Sequence, residues 1–323
     1  MAEDAAGGGV VLAVDLGGTG IKAALVDARG RLHRERVCPT PAAGGPEAVA
    51  GALEQAVREL ARERNVRAVS AVVPGVVDVA GGRIVFAGNL GMREMPLRDR
   101  LAALTGLPTV LEHDVRAAGL AERTIGAARD SDDHLIVVCG TGIAAAVAVG
   151  GAVVRGAHGV AGEFGHVPVW PDGEACPCGQ RGCLERYASA AAIARRYAAY
   201  GGEPGVSARE VAARREREAA AARAWREACQ ALGIALAGAV ALLDSALVVI
   251  SGGLSEAGAA LLDPLREEVS SRLAWRSAVP ELRGSVLGAR AGVLGAAILG
   301  WRRAAEAGGA LPAFENWYSP ISP

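Results

Sequence analysis

The sequence predicts an α/β protein built from two domains. Three observations carry that reading. A strand pair joined by a glycine-bearing turn occurs twice, at about residues 10–27 and 135–154. The first copy is followed by a strand–helix–strand pattern, which builds a layered sheet. The length of 323 residues is enough for two cores of ordinary size.

In chain order, Val10 to Leu16 and Ile21 to Asp27 are β-rich segments joined by Gly17, Gly18, Thr19 and Gly20. Pro46 to Arg64 has helical spacing of Val49, Leu53, Ala56, Val57 and Leu60, and Val66 to Val73 reads as a buried strand ending at Pro74-Gly75. The apolar run Leu107 to Leu111 leads to Glu112-His113-Asp114, where a strand gives way to a helix around Val115 to Arg123. The second copy places strands at Leu135 to Cys139 and Ala144 to Val149, around a Gly140-Thr141-Gly142 turn. Ser207 to Ala241 is helical in composition, with a charged face at Arg214 to Glu218 that suits solvent. A strand at Ala246 to Ile250 runs into Gly252-Gly253, and helices follow at about Gly258 to Leu273 and Ala291 to Ala305. The Pro- and Gly-rich stretch from Gly308 to Pro323 reads as irregular.

A formal net charge of −1 gives no electrostatic reason to expect a nucleic acid or anionic membrane partner, so a small-molecule substrate is expected. The longest apolar stretch, Leu232 to Leu243, is well short of the roughly 20 residues that span a bilayer. The acidic, glycine-rich start lacks the basic segment and apolar core of a secretory signal, so a cytoplasmic location is expected. His33 and His134 read as surface residues and His158 as structural. Cys38, Cys139 and Cys229 read as small buried apolar side chains.

The turns carry the first chemistry. In Asp15-Leu16-Gly17-Gly18-Thr19 two glycines permit close backbone approach to phosphates, while a carboxylate and a hydroxyl can serve phosphate and hydrated Mg²⁺. The plain alternative is an ordinary tight hairpin. Gly140-Thr141-Gly142 repeats the idea, and Ser251-Gly252-Gly253 is a third candidate, each weak alone. Lys22 is the only lysine and does not sit in a Walker loop, so backbone amides, hydroxyls and a metal ion must do most of the phosphate holding.

Cys176-Pro-Cys178-Gly-Gln-Arg-Gly-Cys183 is the strongest signal: its glycines let a short loop bend back so that three thiolates converge on one ion. His166 is the nearest histidine and the expected fourth ligand of a structural zinc. Glu163 and Glu185 flank this loop and would be held by it, as anchored acceptors suited to sugar hydroxyls. Asp114, at its strand–helix junction, is either a reactive carboxylate or a helix cap.

Together these residues resemble the ROK family of glucokinase-type kinases and sugar-responsive repressors, in order and spacing across nearly the whole chain. The matching pieces are Asp15 to Thr19, Pro74-Gly75, Asn89-Leu90, Asp114 to Ala118, Gly140 to Ile143, Glu163 to His166, Cys176 to Glu185 and Ser251 to Leu254. The resemblance implies a two-domain actin-like, ribonuclease-H-like ATPase fold with ATP and sugar in a central cleft. The expected domains are residues 1–115, completed by a C-terminal helix at about 291–305, and residues 116–290 with the zinc loop at 163–185. An irregular tail occupies 306–323. By the same resemblance Asp114 is the general base, and Gly75, Asn89, His113, Glu163, His166 and Glu185 line the sugar site. Asp15, Gly17, Gly18, Thr19, Thr141, Gly142, Gly252 and Gly253 hold ATP with Mg²⁺, and His166, Cys176, Cys178 and Cys183 hold zinc. The family is often dimeric or tetrameric.

Two departures stand out. His113 replaces the asparagine usual before the catalytic aspartate, and Ala144, Ala145 and Ala146 replace a frequent glycine run. The expected reaction is phosphorylation of a primary hydroxyl of glucose or a glucose-like sugar. A C7-cyclitol kinase of secondary metabolism is the alternative that His113 suggests. Only fourteen residues precede Asp15, too few for the helix-turn-helix expected of a sugar-binding ROK regulator. The zinc run argues against an actin- or chaperone-like ATPase.

Overall fold

The computed structural model describes residues 8–63 and 65–317. The chain divides into two compact units. One comprises residues up to Gly126, Ala157–Val160 and the part from Arg290 on; the other comprises Ala127–Gly156 and Ala161–Ala289.

The first unit is built on β1 (Val10–Leu16), β2 (Gly20–Asp27), β3 (Leu32–Pro39) and β4 (Val66–Val73), with α1 (Pro46–Ala61) before β4. A small meander follows, β5 (Val76–Asp78), β6 (Arg83–Ala87) and β7 (Met92–Met95), then α2 (Leu97–Thr105), β8 (Thr109–His113) and α3 (Asp114–Ile125). The main sheet runs β3-β2-β1-β4-β8, with β1, β4 and β8 mutually parallel. Their carboxyl ends therefore lie along one edge, which brings the turn after Leu16, Pro74-Gly75 and the His113–Asp114 junction to that edge.

The second unit holds β9 (His134–Cys139), β10 (Ile143–Val149) and β11 (Ala152–Val153), then α4 (Glu185–Ala188), α5 (Ala190–Ala199), α6 (Ala208–Arg214) and α7 (Ala219–Leu243). It closes with β12 (Leu247–Ser251), α8 (Ala259–Arg272) and β13 (Glu281–Gly284). Its sheet, β11-β10-β9-β12-β13, repeats the first: three antiparallel strands, then two parallel to the inner one.

Each core follows from burial of apolar strand faces. Leu12, Val14, Val69 and Leu53 are fully buried in the first unit, as are Val137, Val248, Ile250 and Leu236 in the second. The last helix, α9 (Ala291–Glu306), belongs to the first unit and packs on β1, β4 and α3. Glycines permit that approach: a side chain at Gly295 would sit 2.0 Å from the Ala117 carbonyl.

Four expectations change. The first unit ends at Gly126 instead of 115, because α3 packs against α9 and stays with it. The helical stretch from Ser207 is two helices, a capping box of Ser207 and Glu210 starting α6 and a break before α7. At 25 residues α7 is long and apolar enough to cross a membrane by length and composition, but half of that window is buried against the core of its own unit. His134 is not at the surface: it is 2% exposed and its Nδ1 donates to the Ser131 carbonyl at 2.8 Å. Residues 318–323 of the tail lie outside the described residues; up to Trp317 it is irregular apart from a 3-10 turn at Phe314–Asn316, where Phe314 and Trp317 are buried edge to face and the Trp317 indole donates to the Ala28 carbonyl at 2.9 Å.

Candidate active site

In the first unit, the turn after β1 is closed by Gly17 N–H donating to the Gly20 carbonyl at 2.8 Å. The Thr40 hydroxyl ties the same loop down by donating to the Gly17 carbonyl at 2.7 Å. Thr19 is exposed at the tip. A side chain on Gly18 would lie 2.9 Å from the Asn89 amide nitrogen, so the bare glycine lets Asn89 rest on this turn. Gly75 has φ +95°, and a Cβ there would be 2.3 Å from the Phe86 carbonyl, which only glycine tolerates.

Asp15 sits where β1 ends, facing Lys22 across the β1–β2 pair. Its pKa is pushed up to about 6, first by burial and then by the nearby Asp114 carboxylate, against an opposing effect of Lys22. A side chain on Gly292, in the first turn of α9, would lie 2.4 Å from an Asp15 oxygen, so the bare glycine makes room for this carboxylate.

Asp114 opens α3. Its carboxylate accepts from the Val115 N–H at 2.7 Å, and its pKa is raised to about 6 by burial, against the opposing effects of that hydrogen bond and of Arg116. About a quarter of the side chain, 27%, still reaches solvent, so the group is both desolvated by dense surroundings and open to a reactant. His113 is the N-cap of α3: its Nδ1 accepts from Val115 N–H at 3.2 Å, which leaves the proton of a neutral ring on Nε2. Behind both lies a buried ion pair absent from the sequence reading. Arg116 donates through Nε to Glu112 at 2.8 Å and through Nη1 to the Gly159 carbonyl at 3.0 Å. Its only signal was a pair of opposite charges four residues apart across the strand–helix junction, Glu112 in β8 and Arg116 in α3.

In the second unit, Gly140-Thr141-Gly142 and Ser251-Gly252-Gly253 leave the carboxyl ends of the neighbouring parallel strands β9 and β12. Gly252 has φ +81°, and a Cβ would be 2.5 Å from the Cys139 carbonyl, so this glycine lets one turn lie against the strand that feeds the other. Glu163 precedes a short 3-10 turn, Phe164–His166, and is exposed.

His166, Cys176, Cys178 and Cys183 converge, with their ligand atoms all within 4.8 Å of one another. The Cys178 and Cys183 sulphurs are 3.7 Å apart, and His166 Nδ1 is 3.8 Å from the Cys176 sulphur. A tetrahedral zinc with Zn–S bonds of about 2.3 Å needs an edge of about 3.8 Å, so this donor set has the size and chemistry of a zinc site. The loop is closed by Cys176 N–H to the Gln180 carbonyl at 2.8 Å and Leu184 N–H to the Val167 carbonyl at 2.9 Å. All six cysteines are free of disulfides.

The sequence profile of the ROK family matches residues 11–303. The chain belongs to the ROK family. A glucokinase of Streptomyces coelicolor is 33% identical to it over 312 residues, covering 90% of this chain and 97% of the relative. An N-acetylmannosamine kinase of Citrobacter koseri is 35% identical over 295 residues, covering 89% and 97%. The crystal structure of a ROK glucokinase from Streptomyces griseus in complex with glucose and AMPPNP matches with a TM-score of 0.80 at 32% identity, over 91% of this chain and all of that one.

For a ROK protein, a further cluster in the second unit escaped sequence reading. Arg196 on α5 donates to Glu174 of the cysteine loop and through Nε to Glu227 of α7 at 3.1 Å, with its guanidinium 4.8 Å from the Tyr187 ring centre. Three charged residues far apart in sequence meet there, so no local spacing announces them.

Proposed function

We propose that this ROK sugar kinase transfers the γ-phosphoryl group of ATP to a primary hydroxyl of glucose or a glucose-like sugar, with Asp114 as general base. The observation that carries the reading is Asp114 itself: a partly open carboxylate at a strand's carboxyl end, with a pKa raised to about 6, poised close to neutral pH for proton transfer. The Val115 N–H orients it and the positive charge of Arg116 favours its ionised form, while Glu112 in turn fixes Arg116. It would take the proton as the hydroxyl oxygen attacks phosphorus and ADP leaves.

Asp15, Gly17, Gly18 and Thr19 in one unit, and Thr141, Gly142, Gly252 and Gly253 in the other, are the residues we assign to Mg·ATP. Bound Mg²⁺ would supply positive charge to the transferring phosphoryl group. Gly75, Asn89, His113, Glu163, His166 and Glu185 are assigned to the sugar. His166, Cys176, Cys178 and Cys183 would hold a structural zinc, a four-ligand set without an open position. The free thiols fit the reducing cytoplasm, and a dimer or tetramer remains our expectation for the assembly.

A second reading, a cyclitol kinase, rests on His113. As the cap of α3 it does what asparagine does well, accepting a helix N–H. Its other nitrogen then offers a single donor on a rigid ring where asparagine offers an NH₂ group. We therefore expect a sugar altered at the ring position that meets His113, and a shift toward glucose in His113→Asn.

The test of the main reading is turnover of Asp114→Asn on a hexose and cyclitol panel. We expect kcat to fall about 10²- to 10⁴-fold with a smaller change in sugar affinity. Near-normal turnover removes Asp114 from the chemistry.

A further inference from the structure

The carboxylate of Glu185, assigned above to the sugar, is already engaged by the backbone of a phosphate turn. Its Oε2 accepts from the Ile143 N–H at 2.9 Å, the first amide after Gly140-Thr141-Gly142. Two glycines let the segments close on it. A side chain on Gly142 would lie 2.7 Å from Oε2, and one on Gly165 would lie 3.2 Å from Oε2 and 2.4 Å from the Ile143 carbonyl. The turn is pinned on its other side as well, because Ala190 N–H, at the start of α5, donates to the Gly140 carbonyl at 2.9 Å. Within the turn, Gly140 N–H donates to the Gly142 carbonyl at 2.9 Å. The α4–α5 segment thus grips both ends of a three-residue turn and leaves Thr141 and Gly142 exposed between them.

A turn of two glycines and a threonine has little side-chain packing to hold one conformation, so its shape depends on such hydrogen bonds. The bond from Ile143 goes to a carboxylate, and charge-assisted bonds are roughly twice as strong as neutral ones. One carboxylate has about four acceptor positions, so engagement by Ile143 leaves capacity for a hydroxyl.

We infer that Glu185 is a positioning residue for the Gly140–Gly142 phosphate turn, so that one carboxylate serves both the nucleotide and the sugar. This rests on the kinase reading above and adds to it a link between the two ligands. In this role Glu185 supports nucleotide binding independently of its contact with sugar. A sugar hydroxyl donating to the same carboxylate then alters the group that holds the turn, and by linkage each ligand alters the affinity for the other.

The experiment is calorimetric titration of Mg·AMPPNP into sugar-free wild-type, Glu185→Gln and Glu185→Ala proteins, with zinc content and Tm measured on each. We expect Kd for AMPPNP to rise roughly 5- to 20-fold in Glu185→Ala and by a clearly smaller factor in Glu185→Gln, whose amide oxygen still accepts from Ile143. A residue that only contacts sugar would leave sugar-free nucleotide affinity unmoved. Unchanged Kd in both variants overturns the positioning role. If the alanine variant does not fold, the isosteric glutamine decides: a weakened Kd with wild-type Tm and zinc supports the role, and a wild-type Kd overturns it. Wild-type turnover on a hexose tests the kinase reading separately. An inactive wild type overturns that reading, whereas an active one whose variants bind AMPPNP normally overturns only the role of Glu185.

Discussion

The two sheets share one strand layout yet carry different chemistry at corresponding strand ends. In the first unit the parallel ends present Asp15 and Asp114, both desolvated carboxylates with pKa raised to about 6. In the second, the ends of β9 and β12 present glycine turns with no carboxylate of their own. There the acidic groups, Glu163 and Glu185, come from the long excursion between β11 and α5, shaped by the cysteine loop. The contrast shows that a repeated sheet supplies position, while titratable chemistry is added at a junction in one copy and by an insertion in the other.

That contrast is sharpest in activity. Asp114→Asn in the first unit should lower kcat about 10²- to 10⁴-fold. Glu163→Gln in the second should mainly raise the sugar KM, by on the order of tenfold, with kcat changed less. A kcat collapse in Glu163→Gln with unchanged KM would erase the division of labour.

Metal analysis should find one zinc per chain, and stripping it should raise the sugar KM by roughly 10- to 100-fold through loss of order around Glu163 and Glu185. Full activity in protein lacking zinc would break this half of the comparison.

The pH profile reports on the first unit. As the proposed base Asp114 would have to be ionised, so kcat/KM should hold above neutrality and decline by about tenfold per unit as pH falls below 6. The steep limb should flatten in Asp114→Asn.

The smallest effect is on stability. A carboxyl whose folded pKa is raised from 3.8 to about 6 contributes stability that is fully present below the unfolded value and lost as pH rises through 6. Ionised Asp114 is therefore a cost at pH 7.5, and Asp114→Asn should stabilise the fold there by roughly 1–2 kcal/mol, read as a higher Tm. The gain should disappear below pH 4. A variant less stable than wild type at pH 7.5 would mean that Asp114 is mainly a helix cap.

Sequence alone determined the features whose cause is local. The β-rich run Val10–Leu16 and the glycines after it specify a hairpin and its turn, the spacing of Cys176, Cys178 and Cys183 specifies a loop that can bring thiols together, and the apolar run leading to Asp114 specifies a strand giving way to a helix. Tertiary structure decided what depends on partners distant along the chain. The polar strand β3 exists because β2 offers it an edge, despite a sequence, Leu32-His-Arg-Glu-Arg-Val-Cys-Pro39, without an apolar face. Trp317 is buried because Gly30, with φ +76°, has no side chain to block it. The Arg196 cluster and the Glu185–Ile143 bond likewise form only when folding places matching donors and acceptors together. Periodicity encodes which face a residue takes, whereas a buried charge or a backbone amide finds its partner through space, and a separation of 42 positions along the chain leaves that pairing unwritten in any local pattern.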